Sequence, residues 1–504
     1  MANPLFDELF GKHVGKETPF LELLNGEIIT HAAFLEMSGR YANALTEAGI
    51  STGDRVVVQM EKSVHTLAIY AACVQAGFVF LPLNTAYTPA EVAYFLNDSE
   101  AGLLICDPHR AAGLAEIAVT ANTILTTLGP DGEGDFAERS AGLSMTFETV
   151  ARSPDDLAAF LYTSGTTGRS KGAMLTQGNL LSNAKALTQA WRFDHRDVLL
   201  HALPIFHTHG LFVAVNISLI AGGKILFLPK FDVDAIIERL PASTAMMGVP
   251  TFYTRLLANE QFTGDLVNHM RLFVSGSAPL LTETHVQFET KTGHRILERY
   301  GMTETNMNTS NPYDGERRAG TVGKPLPGVE VRITDANSAN ELPQGEIGDI
   351  EVRGPNVFNG YWRMPEKTAE ELREDGFFIT GDLGRLDEDG YLHIVGRNKD
   401  LIISGGYNIY PKEIELLLDQ EAGVVESAVI GVPHPDFGET VVGVVVMKDG
   451  FEPDMSQILS NIAGSLARFK HPQKLVALQE LPRNTMGKVQ KKELRERFGT
   501  LFSI

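Results

Sequence analysis

The sequence predicts an α/β protein with a mostly parallel, doubly wound sheet, followed by a smaller α+β region. Three observations lead to this fold class. Over residues 56–106 and 197–274, short apolar runs typical of strands alternate with stretches whose apolar residues recur at helical spacing. Between residues 345 and 400 the pattern changes to short β segments broken by Gly, Asp and Pro, which indicate an antiparallel, barrel-like part. The chain has 504 residues, too many for a single core, so two or three domains are expected.

The elements follow from apolar periodicity and from end signals. A capped helix opens at Thr88, because Thr is a preferred N-cap and Pro89 suits the first helical turn. The other predicted helices cover residues 29–49, 65–76, 211–221, 232–240, 411–418 and 456–466. The predicted strands cover residues 56–60, 79–83, 103–106, 157–162, 197–204, 224–228, 244–249, 272–274, 425–432 and 440–447. Residues 108–153 are weakly patterned and fit either a peripheral hairpin or a helix.

Composition limits the class of protein. The formal net charge of −20 argues against a nucleic-acid partner, because phosphate backbones favour basic surfaces. Neither a secretory signal nor an apolar run long enough to span a bilayer is found, so no membrane association is expected. The two cysteines, Cys73 and Cys106, exclude a disulfide framework and a cysteine-based zinc site, and they fit a cytoplasmic location.

The stretch Tyr162-Thr-Ser-Gly-Thr-Thr-Gly-Arg-Ser-Lys-Gly172 is the strongest candidate for a ligand-binding loop. Its glycines free the backbone to curl around an anion, its hydroxyls add donors, and Lys171 adds a mobile positive charge. We predict a strand, a glycine-rich turn and a helix that begins near Asn179, which together cradle phosphate. A flexible linker is the alternative, although apolar patterns flank the loop closely. The loop is not a Walker A motif, because two residues separate Gly168 from the lysine.

Four further stretches give the loop a context: Tyr300-Gly-Met-Thr-Glu304, Gly376-Phe-Phe-Ile-Thr-Gly-Asp-Leu-Gly384, Gly396-Arg-Asn-Lys-Asp-Leu-Ile-Ile-Ser-Gly-Gly406 and Pro482-Arg-Asn-Thr-Met-Gly-Lys488. In this order and over nearly the whole chain, they resemble the adenylate-forming superfamily of acyl-CoA synthetases, firefly luciferase and peptide-synthetase adenylation domains. The resemblance implies a large N-terminal domain of two doubly wound α/β subdomains plus a β-barrel, over residues 1–396. It also implies a small, mobile α+β lid domain over residues 397–504.

The resemblance further implies a reaction in two halves. A carboxylate attacks the α-phosphorus of ATP with Mg²⁺ as cofactor, and the thiol of CoA then displaces AMP. Nucleophile and phosphate are both anionic, so catalysis depends chiefly on positioning and charge neutralisation. At an effective dielectric constant near 20, a pair of unit charges about 4 Å apart contributes roughly 4 kcal/mol. One well-placed lysine can therefore supply a large share of the catalysis.

The residues that match the family motifs receive their roles from this resemblance. Catalysis is expected from Lys488, Thr167 and Glu304, of which Thr167 and Glu304 would also bind the metal. ATP binding is expected from Thr163, Ser164, Gly165, Thr166, Thr167, Gly168, Lys171, Tyr300, Gly301, Met302, Thr303, Asp382, Arg397 and Lys488. Lys399 matches the hinge of the lid, and Ser404, Gly405 and Gly406 match the segment that CoA passes.

Each of these residues also has a structural alternative. Lys488 could belong to a solvated basic tail with Lys491 and Lys492. The Thr303–Glu304 pair could cap a helix, Asp382 could stabilise a turn, Tyr300 could be a core aromatic, and the two glycines after Ser404 could form a simple turn.

The residues expected to line the acyl pocket bear on which acid is the substrate. His207 matches a family histidine that lines the acyl pocket, with His209 as its nearest rival, while Ser277 and Met302 would shape the space around C2. Arg299 stands at a position that faces the acyl cavity in the family, where a buried guanidinium needs an anionic partner. A second substrate carboxylate could supply that partner, and an internal ion pair with Glu298 or another acid is the alternative.

The motif from Leu297 to Glu304 is similar to the malonyl-CoA synthetase branch of the family, as is the stretch from Val274 to Pro279. This resemblance predicts malonate as the acid, with tolerance for methylmalonate. A CoA ligase for another short-chain, medium-chain or aryl acid is the closest alternative, since it would share every ATP motif. The family also suggests control of Lys488 by a lysine acetyltransferase and a deacetylase, because acetylation removes the charge.

Overall fold

The structure is a computed structural model. It describes residues 3–163, 170–336, 338–404, 407–448, 450–451, 454–484 and 487–502. The residues group by contacts into two compact units. The first comprises Met1–Glu330 and Val352–Phe378, and the second comprises Val331–Glu351 and Ile379–Ile504. The boundary predicted between residues 396 and 397 concerns a mobile lid, and it stays a prediction.

The strands are numbered in chain order. They are β1 Pro19–Leu23, β2 Ile28–Thr30, β3 Arg55–Gln59, β4 Val79–Pro82, β5 Leu103–Cys106, β6 Ile124–Thr127, β7 Leu157–Thr163, β8 Lys171–Thr176, β9 Val198–His201, β10 Lys224–Phe227, β11 Ala245–Gly248, β12 Leu272–Ser275, β13 Leu297–Met302, β14 Asn306–Ser310, β15 Lys324–Pro325, β16 Glu330–Thr334, β17 Gly348–Arg353, β18 Phe378–Leu386, β19 Leu392–Arg397, β20 Ile402–Ser404, β21 Tyr407–Ile409, β22 Val424–His434, β23 Gly438–Met447 and β24 Lys474–Leu478.

The α-helices are also numbered in chain order. They are α1 Pro4–Leu9, α2 His31–Glu47, α3 Val64–Ala76, α4 Pro89–Ser99, α5 Ala111–Thr120, α6 Asp135–Ser140, α7 Gln177–Ala190, α8 Asn216–Ala221, α9 Val233–Arg239, α10 Pro250–Ala258, α11 Gly264–Val267, α12 Thr282–Thr292, α13 Pro365–Glu371, α14 Pro411–Leu418, α15 Met455–Ala463 and α16 Lys491–Phe498. A π-helical segment, His209–Val215, leads directly into α8. The remaining short helices are 3₁₀ turns at Gly11–His13, Pro108–Arg110, Leu240–Ala242, Asn398–Asp400 and Arg468–Lys470.

The first unit contains two sheets, and both confirm the predicted doubly wound pattern. One sheet has the order β6-β5-β3-β4-β7-β8, with parallel pairs from β6 to β7 and an antiparallel strand β8 at the edge. The other has the order β15-β14-β13-β12-β11-β9-β10-β1-β2, with parallel pairs from β13 to β1. The jumps in strand order come from helical crossovers, which cover both faces of such sheets.

Local signals set several of these elements as predicted. Thr88 caps α4 in a capping box, in which its hydroxyl accepts from the Glu91 backbone and the Glu91 carboxylate accepts from the Thr88 backbone. The weakly patterned region 108–153 contains α5, β6 and α6, so its main part is a further strand with helices on either side. Strand β6 pairs in parallel with β5 and extends the first sheet.

The predicted strand, turn and helix at the phosphate loop are corrected in one respect. The chain returns from the loop as strand β8, which pairs antiparallel with β7, and α7 begins only after it. The packing of Gly172 explains this course. A Cβ at Gly172 would lie 2.2 Å from the Phe160 ring, so the glycine lets β8 pass close over that aromatic side chain.

The second unit contains two further sheets. The short β segments predicted between residues 345 and 400 form a four-stranded sheet with the order β16-β17-β18-β19, apart from strand ends that group with the first unit. The tail forms a sheet in which β23 pairs with β20, β22 and β24, with α14, α15 and α16 packed around it. This arrangement confirms the predicted α+β tail. None of the helices within the described residues combines the length and apolar character that a bilayer crossing requires.

Candidate active site

The phosphate loop connects the ends of β7 and β8, where Thr163 pairs with Lys171 and Tyr162 with Gly172. The predicted ATP ligands Ser164, Gly165, Thr166, Thr167 and Gly168 lie outside the described residues. The base of the loop is tied to a second segment of the same unit. Trp362 N donates to Gly172 O at 2.8 Å, and Met174 N donates to Gly360 O at 3.1 Å.

Lys171 is held at the base of this loop by an anion from the first unit itself. Its Nζ lies 3.1 Å from each carboxylate oxygen of Glu371 and 4.0 Å from the centroid of the Tyr361 ring. The residue is 7% exposed. Burial and the ion pair therefore hold the ammonium group at the base of the loop in this structure, and its expected mobility stays a prediction. Its contact with ATP stays a prediction.

Glu304 is buried in the turn between β13 and β14, close to the same tyrosine. Its Oε1 accepts a hydrogen bond from Thr163 Oγ1 at 3.2 Å and lies 3.0 Å from Tyr361 Oη. Burial raises the pKa of this carboxyl above its ordinary value. The alternative of a helix cap at Thr303 is wrong, because this segment turns directly from one strand into the next.

A second carboxylate completes this cluster. Tyr361 Oη also lies 2.6 Å from Glu371 Oε2, and Lys367 Nζ lies 3.0 Å from Glu371 Oε1. Burial alone would raise the pKa of Glu371, but the hydrogen bond from Tyr361 and the ammonium groups of Lys367 and Lys171 lower it below its ordinary value. Glu371 is therefore ionised at neutral pH.

The donor set around Glu304 was compared with the needs of Mg²⁺. The described residues contain no group of three or more His, Cys, Asp or Glu side chains that could bind a metal by themselves. At this position they provide the buried carboxylate of Glu304, with the Thr163 hydroxyl beside it. This set fits a hard cation that is held mainly by substrate phosphates and water, as Mg²⁺ commonly is.

The other predicted nucleotide ligands of this unit follow Arg299 along β13. Tyr300 is 7% exposed, as its core alternative requires, and the register of the β13–β14 pair shifts between Tyr300 and Gly301. A Cβ at Gly301 would lie 1.9 Å from the Asn306 carbonyl oxygen, so this turn accepts only glycine there. Met302 and Thr303 follow, half-buried, at the strand end. Their ATP-binding roles stay predictions.

Arg299 is a buried cation for which the described part of the chain offers no counter-ion. It is 4% exposed, and among the described residues its Nε and Nη2 have no hydrogen-bond partner and no carboxylate forms an ion pair with it. Burial lowers the pKa of the guanidinium to about 9, so it still carries its charge at neutral pH. The alternative ion pair with Glu298 is wrong, because consecutive strand residues face opposite sides and Glu298 Oε1 lies 3.6 Å from His285 Nδ1.

The space beside Arg299 is bounded by Gly276, Ser277 and His209. A Cβ at Gly276 would lie 2.3 Å from Arg299 Cζ, so the guanidinium packs directly against the Gly276 backbone. Ser277 has a φ of 71°, a left-handed conformation that costs a non-glycine residue about 1–3 kcal/mol and is frequent at functional sites. Its Oγ lies 3.1 Å from His209 Nδ1.

His209 lies close to Arg299 and Ser277, and the acyl-pocket role of His207, with His209 as its rival, stays a prediction. His209 is 1% exposed, and its Nε2 has no hydrogen-bond partner within the described parts of the chain. Burial, and then the charge of Arg299, lower the pKa of His209 well below its ordinary value, so the ring is neutral. His207 is half-buried in the loop that precedes the π-helix. Arg299, His209 and Ser277 together form a polar cluster with a net positive charge.

The loop that carries both histidines is anchored by a lysine that the sequence analysis did not identify. Lys62 Nζ, at the end of β3, donates to His201 Nδ1 at 2.7 Å and to His201 O at 2.9 Å. His201 Nε2 lies 2.8 Å from Gly210 O. A carbonyl only accepts, so Nε2 carries the proton and Nδ1 accepts from the lysine. This series of hydrogen bonds fixes the end of the segment that places His209 beside Arg299.

We expect Lys62→Met to raise the KM for the acid about tenfold, equivalent to about 1.4 kcal/mol, because the histidine loop loses its anchor while the apolar stem is kept. The Kd for ATP should stay unchanged. Steady-state kinetics for the acid and calorimetry with ATP measure the two effects. Lys185→Met is the matched control, since Lys185 forms an exposed ion pair with Glu8. Equal weakening of acid and ATP binding would contradict this role.

The predicted nucleotide ligands of the second unit lie on β18 and β19. Asp382 is 5% exposed, its backbone N–H donates to Thr380 Oγ1 at 3.1 Å, and its Oδ1 lies 3.1 Å from Arg397 Nε. The two residues face each other across the β18–β19 pair. Lys399 follows in a 3₁₀ turn, where burial, and then the charge of Arg397, lower the pKa of its ammonium group. The roles in ribose binding, nucleotide contact and hinge motion stay predictions.

Hydrogen bonds hold the backbone at Gly487 and Lys488. Asn484 N donates to Lys488 O at 3.0 Å, and Lys488 N donates to Asn484 Oδ1 at 2.9 Å. Arg483 Nη1 donates to Gly487 O at 2.5 Å, and its Nη2 is bound to the carboxylate of Glu426. These contacts hold the backbone next to Lys488, and its catalytic role stays a prediction.

The two other lysines of the proposed basic tail, Lys491 and Lys492, differ in their exposure. Lys491 is packed in α16 with its Nζ 2.6 Å from Glu415, and of the three tail lysines only Lys492 has a largely exposed side chain, at 83%. For the CoA segment, Ser404 pairs with Tyr407 across the β20–β21 hairpin and with Gly438 of β23. Gly405 and Gly406 lie outside the described residues.

Comparison with protein families places both parts of the chain. Residues 12–362 match the AMP-binding enzyme family, and residues 413–488 match the AMP-binding enzyme C-terminal domain. The chain belongs to the AMP-binding enzyme family. It has the adenylate-forming fold, with a large N-terminal and a small C-terminal domain.

Individual relatives agree with this family. A malonate–CoA ligase of Arabidopsis thaliana is 36% identical over 97% of this chain and 86% of its own length. A sulfoacetate–CoA ligase of Cupriavidus necator is 33% identical over 93% of this chain and 92% of its own length. The crystal structure of ATP-bound MatB from Rhodopseudomonas palustris shares 56% identity over 100% of both chains, with a TM-score of 0.98. The chain is thus an AMP-forming acid–thiol ligase with ATP, CoA and a carboxylic acid as substrates.

Four residues of this family member escaped the sequence analysis: Lys62, His201, Tyr361 and Glu371. For Glu371 a signal was present. It occupies the last turn of α13, where a carboxylate opposes the helix dipole, so a cation from elsewhere in the fold was to be expected. For Lys62 and His201 no local pattern exists, because they lie 139 residues apart, Lys62 in the connection after β3 and His201 at the end of β9.

Proposed function

We propose that the chain is a malonyl-CoA synthetase, which converts malonate, ATP and CoA into malonyl-CoA, AMP and pyrophosphate through malonyl-adenylate. The observation that carries this proposal is the buried, uncompensated charge of Arg299. A cation in this setting is costly unless the ligand brings an anion. Malonate has a second carboxylate to pair with the guanidinium while its first carboxylate reacts, and the guanidinium can hold it through two hydrogen bonds.

The first half-reaction joins two anions. One malonate carboxylate oxygen attacks the α-phosphorus, and pyrophosphate leaves as the bond to the bridging oxygen breaks. Lys488 is proposed to lie between the carboxylate and the α-phosphate and to cancel their repulsion. Glu304 and Thr167 would hold Mg²⁺, which neutralises phosphate charge when bound. In the second half-reaction the CoA sulfur attacks the acyl carbon and AMP leaves.

The residues around Arg299 also predict which related acids the enzyme accepts. Ser277 and Met302 are proposed to shape the space around C2, which would leave room for the methyl group of methylmalonate. Acids with one charge leave Arg299 without a partner and should be poor substrates. The sulfoacetate–CoA ligase among the relatives makes a sulfonate a reasonable second anion to include in a test.

We expect a panel of acids to separate these possibilities. AMP release that depends on CoA should show a kcat/KM for malonate about 10²–10³-fold above that for propionate or benzoate, with methylmalonate between them. Succinate and sulfoacetate test the length and the chemistry of the second anion. A panel in which a monocarboxylate is the best substrate would contradict malonate as the acid and favour a ligase for another short, medium-chain or aryl acid.

Two further features belong to this proposal. Residues 397–504 are proposed to act as a lid that rotates about Lys399 between the half-reactions and carries Lys488. Acetylation of Lys488 by a lysine acetyltransferase, reversed by a deacetylase, would remove the charge required by the first half-reaction. Mass spectrometry of Lys488 in protein from a deacetylase-deficient host, together with its activity, would test this control.

A further inference from the structure

The ion pair between Lys171 and Glu371 is nearly buried, with side chains 9% and 21% exposed. Water therefore screens it little, and either charge would be costly to leave alone in this environment. Lys171 can leave Glu371 only if another anion receives it. The triphosphate of ATP is such an anion, because Lys171 lies at the base of the proposed phosphate loop.

The two members of the pair are not equivalent. Besides Lys171, Glu371 binds Lys367 Nζ at 3.0 Å and the Tyr361 hydroxyl at 2.6 Å. It would therefore keep two partners if Lys171 moved away. Among the described residues, Lys171 has Glu371 as its only ion-pair partner, with the Tyr361 ring beside it. The lysine is thus the exchangeable member.

The place of Glu371 is fixed by the backbone and is not a chance surface contact. Tyr361 forms a bridge with Ala173 of β8, and Tyr361 N donates to Thr368 Oγ1 of α13 at 2.9 Å. Glu371 ends that helix one turn further on. Strand β8 and α13 are therefore coupled through Tyr361, and the carboxylate is held where the ammonium group emerges from the loop.

We propose that Glu371 is a counter-ion that holds Lys171 beside the phosphate loop until the β- and γ-phosphates of ATP replace it. This inference rests on the proposed ATP-binding role of Lys171. Glu371 is a positioning residue that acts through the lysine. It keeps the buried ammonium group in place without nucleotide, and it competes with ATP and with pyrophosphate for the same charge. Competition with pyrophosphate favours its release after the first half-reaction.

The test is calorimetry on the full chain with ATP, inorganic pyrophosphate and AMP as ligands, each in the presence of Mg²⁺. We expect Glu371→Gln to lower the Kd for ATP and for pyrophosphate about tenfold, because the amide keeps the shape but no longer competes for the cation. The Kd for AMP should stay unchanged, because AMP lacks the β- and γ-phosphates. Glu370→Gln is the matched control, since Glu370 is 64% exposed and binds Lys367 instead.

A double-mutant cycle then asks whether the gain passes through Lys171. In a Lys171→Met background, Glu371→Gln should leave the Kd for ATP unchanged. Unchanged or weaker ATP binding in the single variant would overturn the proposal, as would an equal gain for AMP or an equal gain in the Lys171→Met background. Binding of AMP reports a folded site in every variant. These Kd values do not depend on which acid is activated, so they remain decisive if malonate proves not to be the substrate.

Discussion

Replacing Lys488 with alanine should lower the rate of acyl-adenylate formation about 10³-fold, while transfer of the acyl group from preformed malonyl-adenylate to CoA survives. The first half-reaction brings a carboxylate against the α-phosphate, and one cation between them offsets their repulsion. The second half-reaction involves no such meeting of anions. Malonate-dependent exchange of labelled pyrophosphate into ATP measures the first step, and CoA-dependent consumption of the adenylate measures the second.

The backbone hydrogen bonds next to Lys488 make this test specific for the loss of its side-chain charge. The hydrogen bonds from Asn484 and Arg483 use backbone atoms of Gly487 and Lys488, so the alanine variant keeps them. Lys492→Ala is the control, because Lys492 is the largely exposed member of the same basic segment. If Lys488→Ala and Lys492→Ala both leave pyrophosphate exchange intact, Lys488 belongs to an ordinary basic tail.

Replacing Arg299 with alanine should lower kcat/KM for malonate about 10³-fold, equivalent to about 4 kcal/mol, whereas propionate and butyrate should be activated as well as before or better. The reason is the buried guanidinium, which malonate satisfies and a monocarboxylate does not. Removing it eliminates the attraction for the second carboxylate and also an uncompensated charge that disfavours an apolar tail. Pyrophosphate exchange with each acid measures the change.

Two variants sharpen the interpretation of this result. Arg299→Lys keeps the charge but loses the planar pair of donors, so it should retain part of the malonate activity. Arg295→Ala is a control from the same segment, because Arg295 forms an ion pair with Glu289 at the surface. Equal loss of malonate and butyrate activation in Arg299→Ala would show that the arginine supports the fold of the site and does not select the acid.

Elements set by local patterns could be predicted from the sequence. Elements of the first unit such as β3, α3 and β10 follow from apolar periodicity, and the start of α4 follows from its cap, because these signals act over a few residues. The course of β8 could not be predicted in this way. It depends on the fit of Gly172 against Phe160, twelve residues earlier and on the neighbouring strand.

The choice between the two partners considered for Arg299 shows a signal that was present but unused. Consecutive residues of a strand alternate in direction, so Glu298 and Arg299 belong on opposite faces of β13, and this alternation already argues against their ion pair. The strand alternation does not predict which residues pack on the same face of β13 as Arg299. His209 and Ser277 reach it from separate loops, and no spacing in the sequence predicts that meeting.

By itself, the sequence determined the alternating fold, and it predicted a phosphate loop and the residue types expected to neutralise the charges of ATP. Each of these features depends on a short stretch of sequence and on the chemistry of neighbouring residues. The tertiary structure decided which charges are paired and which remain available. Arg299 lacks a counter-ion among the described residues and Lys171 has one because folding brings distant segments together, and the cost of a buried charge depends on the partners that surround it.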